Sequence, residues 1–108
     1  MVLQLKPGAM PAYRQCHDAQ WPEVRDALRA VGLRNLSLWY DGGHNRVFYY
    51  AEYGGAEPFQ QAMQRYAQMP RVQAWEERMH QYQERPAGAV GVSEQVYWVP
   101  LEEIFHQE

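Results

Sequence analysis

The sequence predicts an α+β domain, with helices laid against one face of an antiparallel sheet. Three observations carry this prediction. Two runs rich in β-formers flank the turn DGGHN in NLSLWYDGGHNRVFYYAEY, residues 35–53, which is the signature of a hairpin. On either side of it, apolar residues recur at three- and four-residue steps, the period of a helix. Each helical stretch is also interrupted by a proline, at Trp21-Pro22 and at Pro70, so each reads as a broken pair.

The elements follow in order. MVLQL, residues 1–5, reads as a short strand, and Pro7-Gly8 turns the chain. From Ala9 to about Asp18 the spacing is helical, with Met10, Tyr13 and His17 on one face. Trp21 is pushed out of helical geometry by the proline after it, and Pro22 suits the first turn of a second helix. Val24, Leu28 and Val31 form that helix's buried seam, and Gly32 is placed to end it.

In the hairpin, Leu36, Leu38 and Tyr40 share one face while Ser37, Trp39 and Asp41 take the other, and Asp41, Gly42 and Gly43 supply the turn. After Gly54-Gly55, Phe59, Met63 and Tyr66 make one helical seam. Beyond Pro70, Val72, Trp75, Met79 and Tyr82 make another. ERPAGAVGVSE, residues 84–94, is a loop by composition. QVYWVPLEEIF, residues 95–105, is strand-like but split by Pro100, which cannot donate to a sheet ladder.

Strand, broken helix, strand, strand, broken helix, strand is the split βαβ order of a ferredoxin-like domain. Helices on one face leave the other without cover, and in a chain of 108 residues a second copy is the simplest cover. The expected assembly is therefore a homodimer of the dimeric α/β-barrel type, joined with the help of the C-terminal strand, residues 95–105. The length supports one domain over residues 1–108, with one core.

Composition narrows the function. A net charge of -3, with both signs mixed along the chain, offers no basic stripe for phosphates and argues against nucleic acid. No apolar run approaches the ~20 residues that span a bilayer, so no membrane partner is expected. A single cysteine and the absence of a leader-like start lead us to expect a cytoplasmic protein. Eight Tyr, four Trp and three Phe exceed the needs of a small core. Tyr and Trp combine a flat apolar face with a polar edge, which suits a pocket or an interface.

His17 is the leading catalytic candidate. Near a helix C-terminus, orphan carbonyls favour its protonated form, so it could act as a general acid, or it could simply cap its own helix end. Trp75, on a helical seam, is either core or the floor of a pocket. The histidines, Cys16 and the carboxylates show no ligand spacing, so no metal site is expected. Cys16 and His17 project about 100 degrees apart on a helix, which argues against a nucleophilic pair. DGGHN lacks a following helix with a lysine and is a turn, not a phosphate loop.

Tyr13, His17, WPE at residues 21–23, NLSLWYD, Trp75 and the closing WVPLEEIFH together resemble the L-rhamnose mutarotase family over nearly the whole chain. The resemblance implies a ferredoxin-like homodimer with no metal or organic cofactor, interconverting the α and β anomers of a free deoxy-sugar monosaccharide. It implies substrate binding by Tyr13 and proton donation by His17, with Trp75, Glu76, Trp39 and Tyr40 as further substrate-binding candidates. Such a reaction needs one acid and one base. For the group that takes the anomeric proton, Tyr40, Asp41 and Glu76 all stand open.

Three departures from the family pattern are visible. Asn35-Leu36 stands where Asn-Tyr is expected, Trp75-Glu76 where two tryptophans are expected, and the first strand is shorter. Glu76 either reads sugar hydroxyls or faces water. Two other functions remain compatible with the pattern: a cofactor-free monooxygenase or haem-degrading type of dimeric protein, and a sugar-binding module without turnover.

Overall fold

The computed structural model describes residues 1–86 and 97–108. Its elements are β1 (Val2–Gln4), α1 (Met10–Asp18), α2 (Pro22–Ala30), β2 (Leu33–Asp41), β3 (Arg46–Tyr53), α3 (Phe59–Ala67) and α4 (Val72–His80). The sheet runs in the order β1-β3-β2, and β3 is antiparallel to both neighbours. The first and second strands, joined by α1 and α2, therefore point the same way with β3 between them, which is the split βαβ arrangement.

Both broken helices form as their prolines require. Trp21 is extended (φ -63°, ψ 132°) and Pro22 occupies the first turn of α2, so the chain bends between α1 and α2 without losing an internal helix bond. Gly32 ends that helix pair with φ +102°. A Cβ there would stand 2.9 Å from the backbone nitrogen of Gly55, and Gly54 donates its N-H to the Gly32 carbonyl. Glycine is required at this crossing by conformation and by space.

Register sorts the two sheet faces. Leu3, Val47, Tyr49, Leu38 and Tyr40 share the face beneath the helices, whereas Val2, Gln4, Arg46, Phe48, Tyr50, Ser37, Trp39 and Asp41 share the other. Leu3, Leu5, Tyr13, Val24, Val47, Trp75 and Met79 form the larger core, and Val31, Leu33 and Ala62 a smaller one under α3. On the far face Trp39 is 65% exposed and Tyr50 55%.

Four expectations need correction. The alternation of β2 is broken between Arg34 and Ser37, where Asn35 and Leu36 together oppose one residue of β3. Asn35 has φ 50°, so the strand bulges and Leu36 no longer continues the Leu38–Tyr40 row. In the hairpin turn, Asn45 and not a glycine takes the left-handed conformation (φ 54°). Asp41 organises that turn as expected, accepting the Gly43 N-H at 3.1 Å.

The expected α2 seam forms, with Val24 and Val31 buried and Leu28 packed against both cores. In α3 the seam departs at one residue: Met63 and Tyr66 pack on the smaller core, but Phe59 stays 39% exposed beside Tyr53. Last, the C-terminal segment makes one bridge, Val99 to Val2, and no strand within residues 97–108. Beside β1 this bridge and a second, Leu5 to Gln83, stand where a fourth strand was expected. Pro100 lacks the N-H that would extend the pairing. Residues 87–94 of the expected loop, and residues 95 and 96, lie outside the described residues.

Candidate active site

α1 is amphipathic, with Tyr13 and Cys16 buried, and His17 lies half-buried in its last turn. The Tyr13 and His17 rings are 4.6 Å apart, and His17 leans edge-on against Trp75 of α4 at 5.3 Å. Trp75 is itself 4% exposed and meets Trp21, at the α1–α2 bend, at 5.5 Å. The guanidinium of Arg71 lies 4.1 Å over the Trp21 ring. The Trp-Pro break thus delivers Trp21 into the wall behind Trp75, and Trp75 holds the histidine.

His17 Nδ1 lies 2.9 Å from the Tyr13 carbonyl oxygen. A carbonyl only accepts, so Nδ1 carries the proton, and in the neutral ring Nε2 keeps its lone pair. Burial between two aromatic rings lowers the pKa of His17, with the Tyr13 carbonyl and then Asp18 opposing that shift. This is opposite in direction to the helix-end expectation: desolvation between Tyr13 and Trp75 outweighs the bond to the carbonyl. The histidine is a neutral base at pH 7.

Tyr13 is buried, and Gln83 Nε2 donates to its hydroxyl at 3.3 Å. Burial raises its pKa well above 10. The Tyr82 ring meets Tyr13 edge-on at 6.5 Å.

Glu76 of α4 is half-buried, and Tyr66 of α3 acts on its titration. Burial pushes its pKa up to about 7, with the Tyr66 bond pulling the other way. Its charge reaches Tyr13 of α1, Tyr49 of β3 and Tyr66, so three elements converge on one carboxylate. Tyr49 is pushed up to about 12, chiefly by burial, and stacks edge-on with Trp98 at 5.1 Å. A depression of about 350 Å³ beside Trp21 is lined by Ala74, Glu77, Arg78, Gln81 and Tyr82. At 100 degrees per residue that lining is the side of α4 away from Glu76.

Tyr13, His17 and Trp75 are thus brought into ring contact, Glu76 adjoins Trp75 in α4, and the other two binding candidates lie apart. Trp39 points from the opposite sheet face. Tyr40 lies on the helix side but at the hairpin end, 44% exposed, with its hydroxyl donating to Asn45 Oδ1 at 2.8 Å. Asp41 is committed to the turn, where Arg46 and His44 each approach its Oδ2 at 2.9 Å. The bond from Arg46 leads in holding its pKa below the usual carboxylate range.

The family profile described as L-rhamnose mutarotase matches residues 1–107. The chain belongs to the L-rhamnose mutarotase family. An L-rhamnose mutarotase of Phocaeicola vulgatus is 30% identical over 96% of this chain and 91% of its own length. One of Listeria monocytogenes is 39% identical over 47% of the chain, and one of Burkholderia orbicola 41% identical over 43%. In these two matches the chain spans about half the relative's length, 49% and 44%. The crystal structure of an L-rhamnose mutarotase from Formosa agariphila shares the fold, with a TM-score of 0.75 at 24% identity, over 99% of this chain and 94% of that one.

Two residues that act on Glu76 carry no site signal of their own in the sequence: Tyr66 lies on the α3 seam, and Tyr49 falls within the second β-rich run. Glu76 itself lies four residues after Val72 and three before Met79, at the edge of the α4 seam. Among the described residues, no helix is long and apolar enough to cross a membrane.

Proposed function

We propose that this protein interconverts the α and β anomers of L-rhamnose or a related 6-deoxy-hexose by acid–base ring opening. The observation that carries the reading is the Tyr13–His17–Trp75 cluster, in a chain of the L-rhamnose mutarotase family. Opening requires the anomeric hydroxyl to lose a proton as the ring oxygen gains one. Neutral His17, its proton fixed on Nδ1, takes the anomeric proton on Nε2. On closure it returns that proton, so the same residue is base in one direction and donor in the other. Tyr13, with its hydroxyl bonded to Gln83, orients sugar hydroxyls, Trp75 holds the imidazole, and Glu76 reads a hydroxyl. No metal or organic cofactor is needed for these proton transfers.

The same reading takes each protomer as half of a dimeric ferredoxin-like α/β barrel. Trp39, Phe48 and Tyr50 form an apolar row on the uncovered sheet face, and a second copy of the chain covers it. Leu101, Ile104 and Phe105 are exposed and extend the surface available to that copy. In this arrangement Trp39 belongs to the interface, while Tyr40 stays at the rim of the pocket. We place the protein in the cytoplasm.

NMR magnetisation transfer between the two anomers, for L-rhamnose and L-fucose, with and without protein, tests the activity. Accelerated exchange, greatest for L-rhamnose, is expected. Saturable binding without acceleration would identify a sugar-binding module instead.

A further inference from the structure

We propose that Gln83 is a positioning residue of the site: it donates to the Tyr13 hydroxyl and so turns that hydroxyl's own proton toward an oxygen of the sugar. This deepens the mutarotase reading and rests on it.

Among the described residues Gln83 is the one amide or charged side chain that is buried, at 2% exposure. Its backbone is fixed by the edge of the sheet. Lys6 donates its N-H to the Tyr82 carbonyl at 2.9 Å and Glu84 donates to the Gln4 carbonyl at 2.8 Å, so residue 83 stands in a bridge opposite Leu5. Residues opposed across such a bridge send their side chains to the same side, and Leu5 is fully buried in the larger core. An amide placed there costs free energy unless it is bonded, and a leucine or methionine would pack as well. Packing does not explain it.

The bond that Gln83 makes leads straight to the site. Its Nε2 lies 3.3 Å from the Tyr13 hydroxyl, 70 residues away in the chain, and both side chains are buried. An amide nitrogen only donates, so the phenol oxygen accepts and its own O-H remains to be spent. Among the described residues no protein acceptor takes that proton. A buried donor without an acceptor is unfavourable, and an oxygen of the bound sugar supplies one. The ring oxygen of a pyranose carries no proton and can only accept.

The same tyrosine holds the base. Its ring lies 4.6 Å from the His17 ring, and its carbonyl accepts from His17 Nδ1 at 2.9 Å. Gln83 anchors the far end of that ring, and Tyr82 meets it edge-on at 6.5 Å. One buried amide thus fixes both the direction of the Tyr13 proton and the surface on which the imidazole rests. No covalent bond changes here, and no proton leaves Tyr13, whose pKa burial raises well above 10. It serves as a hydrogen-bond donor.

The test removes the donor while keeping the side chain's length, in Gln83→Met, with folding checked by circular dichroism. For anomer exchange of L-rhamnose, read by magnetisation transfer, kcat/KM should fall about tenfold, the worth of one hydrogen bond. In a Tyr13→Phe background the same substitution should cost less than about twofold, because the hydroxyl through which Gln83 acts is gone. A residue that only packs would cost the same in both backgrounds. In wild type, the NMR signal of the Gln83 side-chain amide should shift as L-rhamnose saturates the site, since the hydroxyl it donates to takes up the sugar.

A folded Gln83→Met within about twofold of wild type overturns the proposal, as does an undiminished loss in the Tyr13→Phe background. If Gln83→Met fails to fold, an amide signal unmoved by saturating L-rhamnose overturns it. Each of these outcomes leaves the mutarotase reading standing. Absence of exchange in wild type on any L-6-deoxy-hexose removes that reading, and this assignment with it.

Discussion

The Nδ1 of His17 lies 2.9 Å from the backbone carbonyl of Tyr13, one helical turn earlier in α1. That single bond selects the tautomer and aims Nε2 away from the helix. The ring that would be an acid at an exposed helix end becomes, between Tyr13 and Trp75, a base.

His17→Ala should lower anomer exchange by at least ~100-fold while preserving the far-UV circular dichroism, because the ring is half-buried and lies beside the main core. Exchange near the wild-type rate in the folded variant would remove His17 from the mechanism.

Glu76 and His17 should oppose each other in stability against pH. The folded carboxyl of Glu76 titrates near pH 7 instead of 4.5, so the folded state binds more protons between those values and stability falls as pH rises through that window. The lowered pKa of His17 acts the other way: stability is present above 6.5 and is lost as pH falls below it. Glu76→Gln should therefore raise the denaturation midpoint at pH 8, by an amount on the order of 2–3 kcal/mol, and change it little at pH 4. Urea titrations at the two pH values measure this, and a destabilised Glu76→Gln at pH 8 would contradict it.

Tyr13→Phe should cost about 1–3 kcal/mol, since the buried Gln83 amide loses the hydroxyl it donates to. Tyr13→Phe combined with Gln83→Leu should recover much of that loss by removing the orphaned donor. A double variant no more stable than the single one would show that this bond is not what couples α1 to the bridge at Gln83.

Gly32→Ala should destabilise by more than ~1 kcal/mol, because alanine at φ +102° is strained and its Cβ would meet the backbone of Gly55 at 2.9 Å. Chemical denaturation reads the shift directly. An unchanged midpoint would mean that the crossing of the α2–β2 turn over Gly54-Gly55 can open freely.

Sedimentation should give a dimer at micromolar concentration, and Trp39→Arg, a substitution on the open sheet face, should shift it toward monomer. A wild-type chain that sediments as a stable folded monomer would remove the dimer proposal.

Much of this protein is legible locally. The prolines at 22 and 70 dictate two broken helices, because a proline lacks its N-H and constrains the residue before it. Alternation in β2 separates Trp39 from Leu38 and Tyr40, and the four-residue step in α1 joins Tyr13 to His17. Each of these is a property of neighbours in the chain, governed by periods of 2 and 3.6. The same rule leaves Glu76 open, at the edge of the α4 seam between the interior and water.

Tertiary structure alone decided the chemistry of those residues. A pKa depends on the solvent removed and the partners supplied by distant segments. The sequence does not announce that Tyr66, Tyr49 and Tyr13 converge on Glu76, or that Trp75 and Tyr13 dehydrate His17. The bulge at Asn35–Leu36 and the single bridge at Val99 are equally non-local, since each depends on how one strand meets its partner. Local periodicity determined which side each group faces; packing determined whether it holds a proton there.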